Sequence, residues 1–184
     1  MAYVSPYGDH WKRGRKRHLM SAELNPYFDH VIRLTKELAS GGRPGVLSTT
    51  APDGASRVRW MGTLSISEFP HLYALTSESS RKIVEIRHDA RVTWMFTSDA
   101  PATVVNIFGR AKIITKQTEV YRIWQLIENK GLAFFMNLEN TDETIAVIDT
   151  LITAIECVVP RYGFSYSVKE FEISALSGEQ DVPA

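Results

Sequence analysis

The chain has 184 residues, 44% of them hydrophobic and 23% charged, and 21 Lys+Arg balance 21 Asp+Glu. That length suits one domain with its own core, and the neutral balance excludes a whole-molecule field aimed at nucleic acid or a membrane. The single cysteine, Cys157, excludes an intramolecular disulfide framework and, lying in an apolar run, reads as a small core residue. No apolar run nears the ~18 residues a membrane span needs and no apolar leader opens the chain, so a cytoplasmic location is expected.

Residues 1–20 form a basic arm, with five cations in "HWKRGRKRH". No aromatic interleaving or nucleic-acid motif accompanies them, so a solvated leader is favoured over a nucleic-acid contact. Phe28, Val31, Ile32 and Leu38 repeat at helical spacing, which predicts a helix over 22–40 that stops at Gly41-Gly42. From Gly45 the period changes. "GVLSTT" reads as a strand, Pro52-Asp53-Gly54 as a hairpin turn, "SRVRWMGTLSI" as one returning strand, and "EFPH" as a turn into a third strand, "LYALTS". A short helix begins near Ser80, and "RVTWMFT" and "TVVNIFGRAKII" follow as strands. Val120, Ile123, Trp124 and Ile127 share a stripe that predicts a helix over 117–129. "LAFFMNLENTDETIAVID" reads as a loop plus a short helix from Asp142, "LITAIECVVP" and "VKEFEIS" as closing strands, and 177–184 as a tail. The expected fold is mainly β (α+β): six or seven antiparallel strands closed into a barrel, with helices outside. The domain is expected to span 21–176.

Alternation along "SRVRWMG" puts Arg57, Arg59 and Met61 on one strand face and Val58 and Trp60 on the other. Such a face either is solvent-exposed, its arginine stems covering apolar surface, or receives an anion or a ring. In "ALTSESSRKIVEI", Thr76 and Ser77 end a strand, and Ser79 or Ser80 is a natural N-cap. Arg81 and Lys82 then stand at a helix N-terminus, where the dipole disfavours cations by roughly 0.3–1 kcal/mol. Alone, this is a capped surface helix with two solvated cations, or a phosphate site built from hydroxyls, free N–H groups and the cations. Taken together, the two segments point to a phosphorylated aromatic cofactor such as flavin mononucleotide (FMN), since a bare phosphate would leave Met61 and the aromatics unused. The histidines (His10, His18, His30, His71, His88) lack metal-ligand spacing, so no metal site is expected. Trp94, Phe96 and Trp124 read as core aromatics.

"RWMG", "LYALTSESSRKIVEIRHDARVTWMF" and "FGRAKI", in that order over 45–125, resemble the general stress protein 26-like branch of the pyridoxamine 5′-phosphate oxidase-related family. The resemblance implies a six-stranded split barrel, a homodimer, and FMN bound in clefts at the dimer interface. Carried over by position, it implies Arg59, Trp60 and Met61 along the flavin and its ribityl chain. Thr76 and Ser77 would then contact the ribityl phosphate or ring edge, and Ser80, Arg81 and Lys82 the phosphate, with Arg57 as a helper outside the motif. The C-terminal arginine- and tryptophan-bearing segment of authentic pyridoxamine phosphate oxidases is absent from "KEFEISALSGEQDVPA", which disfavours vitamin B6 phosphate oxidation. The expectation is an FMN-dependent oxidoreductase of unassigned substrate, with no catalytic acid or base named. The alternatives are a non-catalytic flavin-binding stress protein and a deazaflavin-dependent reductase.

Overall fold

A computed structural model describes residues 26–40, 43–62, 64–98, 102–127 and 144–177. The elements in order are α1 (Pro26–Ala39), β1 (Gly45–Thr50), β2 (Ser56–Met61), β3 (Leu64–Ser65), β4 (His71–Ser77), α2 (Arg81–His88), β5 (Arg91–Thr97), β6 (Val104–Ile114), α3 (Gln117–Leu126), β7 (Ile145–Val159), β8 (Phe164–Val168) and α4 (Glu170–Ser177). The basic arm and the tail from residue 178 lie outside the described residues.

One antiparallel sheet runs β2-β1-β5-β6-β7-β4-β3, and β8 adds to β7. β2 and β3 are consecutive in sequence yet stand at opposite ends of this order. The single returning strand expected over "SRVRWMGTLSI" is therefore two: β2 pairs with β1, and β3 forms a hairpin with β4. Because so short a link joins the two ends, the sheet must curl into a half-barrel. Gly45, on β1, marks the contact between the ends. A Cβ there would meet Leu64 of β3 at 3.3 Å and the Phe96 ring at 2.6 Å, so the approach needs glycine.

The inner face holds the main core, with Leu47, Trp94, Phe96, Val105, Ile107, Ile155 and Cys157 all almost fully buried. α1 packs onto this core through Phe28, Val31, Ile32 and Leu38, as its periodicity predicts. Trp94 stacks on Phe96 at 6.3 Å between centroids and donates its indole N–H to Thr150 Oγ1 at 3.1 Å. Burial pushes the Cys157 thiol up to about 11, which leaves it unreactive near neutral pH. A second, outer core lies under α3, where Val120, Ile123 and Ile127 cover Tyr73, Leu75, Ile114 and Val147.

Two C-terminal expectations are corrected. The helix expected from Asp142 is absent from 145 on, because "IAVID" begins the 15-residue strand β7. β7 fills the sheet between β6 and β4, and its β-branched residues suit that central position better than a short surface helix. The strand expected over "VKEFEIS" becomes a helix after the end of β8. Lys169 donates its backbone N–H to Glu172 Oε2 at 2.9 Å, and Glu170 and Glu172 stand in the first turn, where the dipole favours acids. Ile173 anchors this helix in the main core.

Candidate functional site

The curl brings one side chain from each of three strands against α2. From β2, Arg59 donates from Nη2 to Glu85 Oε2 at 2.6 Å and from Nη1 to Thr49 Oγ1 of β1. Thr49 in turn donates to the same Glu85 oxygen at 2.6 Å. These three side chains close a ring around a carboxylate that is only 6% exposed. From β4, the buried Thr76 hydroxyl accepts from Lys82 Nζ at 2.8 Å and shares a bond with Ser80 Oγ at 3.1 Å. Ser80 is the N-cap residue of α2, but its hydroxyl makes no cap bond and points to Thr76 instead. Arg81, at the first helical position, is exposed.

Electrostatics tie the two halves together. Burial lowers the Lys82 pKa below the usual lysine range, and the Arg59 and Arg81 cations lower it further against the opposing pull of Glu85. Burial alone would raise Glu85. The Thr49 hydroxyl and the Arg59 guanidinium outweigh that effect and hold its carboxyl below the usual range. The corner thus gathers three cations and one carboxylate, a net of two positive charges, beside three hydroxyls and the start of a helix. Confining like charges opposes folding, so the arrangement suits a partner of opposite sign.

Sequence reasoning named Arg59, Thr76, Ser80, Arg81 and Lys82, and these come together. It also placed Arg59 and the end of β4 in one meander, whereas β2 and β4 do not pair, and it is curling around α2 that joins them. The remaining candidates lie elsewhere. Met61 is 6% exposed within the main core. Trp60 turns to the opposite strand face and is 70% exposed. Ser77 shares its hydroxyl with Ser79 at 2.8 Å, and Arg57 pairs with the hairpin residue Asp53 at the surface. Thr49 and Glu85 were missed. Glu85 had one legible signal, an acid between the buried Ile83 and Ile86 and spaced i+3 from Lys82.

A second polar group was also unread. Asp149 of β7, side chain 4% exposed, is held by His71 Nδ1 at 2.7 Å and Lys112 Nζ at 3.2 Å. Nearby, Tyr73 donates to Glu68 at 2.7 Å, and Arg122 of α3 reaches the same carboxylate at 2.6 Å. This cluster bounds the outer core. It lies at the start of β4, away from the corner at that strand's end.

A family model described as pyridoxamine 5′-phosphate oxidase like matches residues 29–154, most of the chain. The chain belongs to that family. The pyridoxamine 5′-phosphate oxidase-like chain is similar to the general stress protein 26 of Bacillus anthracis str. Sterne, with a TM-score of 0.60 and 21% identity over 76% of this chain and 98% of that one. It is also similar to a protein related to general stress protein 26 from Clostridium acetobutylicum, with a TM-score of 0.60 and 13% identity over 80% and 94% of the two chains. A heme binding protein from Mycobacterium smegmatis shares the fold at a TM-score of 0.55 and 14% identity, over 77% of this chain and 57% of that one. No curated protein matches. These structural likenesses, all under 25% identical, show the fold alone, and the corner's chemistry rests on this chain's own residues.

Proposed function

We propose that this family member binds FMN, with the ribityl phosphate seated in the corner formed by Thr76, Ser80, Arg81, Lys82 and Arg59. One observation carries the reading: Arg59 of β2 and Lys82 of α2, the helix that follows β4 near the other end of the sheet order, are held close enough that the Arg59 charge lowers the Lys82 pKa, beside the Thr76 and Ser80 hydroxyls. A phosphate monoester carries roughly −1.5 to −2 charges near neutral pH, which matches the corner's net charge. Bound FMN would supply hydride and electron transfer, and the chain's part is to bind, orient and shield it, as an oxidoreductase of unassigned substrate.

The outer sheet face supports a homodimer. Val58 is 64% exposed, Trp60 70%, Met95 37% and Phe108 39%, and the strand register puts them on one sheet face, with Val46 between Trp60 and Met95 and with Ser48 and Thr93 between Val58 and Phe108. Exposed apolar area of this kind marks an interface, and we assign it to a second copy. The curl turns Trp60 away from the phosphate corner, so its aromatic surface serves that interface.

The test is direct. Full-length protein is purified, any chromophore is released and identified by its absorbance, and FMN and riboflavin are titrated by fluorescence quenching. FMN should bind and riboflavin should bind far more weakly. A colourless protein that binds neither, or both equally, would refute the phosphate assignment. Steady-state NADH and NADPH oxidation then separates an oxidoreductase from a protein that only stores flavin.

A further inference from the structure

We propose that Glu85 is a built-in counter-anion that determines which head group the corner accepts, restricting it to dianions. The proposal rests on the phosphate reading above and adds a residue to which the resemblance assigns no role.

Three observations carry it. First, Glu85 is buried and closes the ring with Thr49 and Arg59: the Arg59 fork donates from Nη2 to Glu85 and from Nη1 to Thr49, which itself donates to the same Glu85 oxygen. Second, Glu85 follows Arg81 by four residues and Lys82 by three, which puts its carboxylate on the same side of α2 as both cations. Third, the charges present are Arg59, Arg81 and Lys82 against Glu85, leaving two positive charges for the ligand to meet. A fully ionised phosphate monoester balances that remainder, while a carboxylate or another monoanion leaves one charge over. Without Glu85, a third, half-buried positive charge would be unpaired, and leaving such a charge without its partner is strongly unfavourable. An added anion would then be drawn in more tightly, because the corner has one more positive charge to attract it.

The decisive variant is Glu85→Gln, which keeps the size and the acceptor oxygen but removes the charge. Kd values for FMN and riboflavin are measured side by side, with circular dichroism as the check on folding. The ratio of FMN to riboflavin affinity should rise on the order of tenfold, the size of one close charge in a partly buried site. The melting temperature without ligand should fall, and inorganic phosphate should raise it more steeply than in the wild type. The double variant Arg59→Gln/Glu85→Gln has the wild-type net charge and should return the affinity ratio to near the wild-type value. A folded Glu85→Gln protein whose ratio is unchanged or lower would overturn the proposal, since a purely structural role would shift both flavins alike.

Should that variant not fold, the wild type answers the same question. Sulfate should displace FMN, whereas perchlorate at equal ionic strength should not; equal displacement by the two would overturn the proposal. The two readings fail differently. Loss of all preference for FMN in the wild type removes the phosphate site itself, whereas a normal wild type with an indifferent Glu85→Gln removes only the role of Glu85.

Discussion

Lys82→Met separates a binding lysine from a structural one, because the two roles predict opposite effects on the ligand-free protein. Lys82 donates one bond to Thr76, is half-buried, and faces Arg59 and Arg81. Its folded pKa lies below the unfolded value, so the folded state disfavours the charged form. That penalty is fully present at pH values below the folded pKa and fades as pH rises through it towards about 10.5. At pH 7, Lys82→Met removes the penalty and keeps most of the apolar stem, so ligand-free stability should hold or rise. FMN binding should weaken. A charge-assisted bond contributes ~1.5–3 kcal/mol, and with two arginines still present the lower end applies, or about tenfold in Kd. Urea unfolding of the flavin-free protein and fluorescence titration with FMN supply the two numbers. A variant that loses stability while binding FMN normally would show that Lys82 props up the fold rather than serving the ligand.

Arg59→Ala should be costly in the opposite sense, since it leaves the Glu85 side chain, 7% exposed, with Thr49 as its partner. Breaking a buried pair in this way costs about 3–5 kcal/mol, readable as a lower urea midpoint with an unchanged slope. Glu85 in the wild type has a lowered pKa, so its stabilising contribution is present above about 4.5 and is lost as pH falls through the folded value. In Arg59→Ala that loss should begin at higher pH, and coincident acid-unfolding curves for the two proteins would contradict the pairing. Trp60→Glu, on the exposed outer face, should give a folded monomer by light scattering if that face joins two copies. An unchanged mass would end that assignment. Thr150→Val leaves the buried Trp94 N–H without its acceptor and should cost about 1–3 kcal/mol by urea unfolding, with FMN affinity untouched.

The sequence by itself determined most of the local elements and named most of the residues that meet in the corner. Period-two strands from Gly45 to Ile114, the Pro-Asp-Gly hairpin and the stripe of α1 were legible because they depend on neighbours only a few positions away. Ser80, Arg81 and Lys82 were legible for the same reason, being consecutive residues at one helix start. Tertiary structure decided the rest. "IAVID" carries β-branched residues that either a short helix or a strand could use, and only its place between β6 and β4 settles the choice. The link between Met61 and Leu64 looks like continuing strand, but it carries the chain from one end of the sheet to the other. Alternation correctly separated Trp60 from Arg59, while the burial of Met61 depended on which side of β2 the sheet curled around. Glu85 binds partners 26 and 36 residues away in the chain, Arg59 and Thr49, so its local spacing could mark it as an acid on the buried side of the helix but could not name those partners.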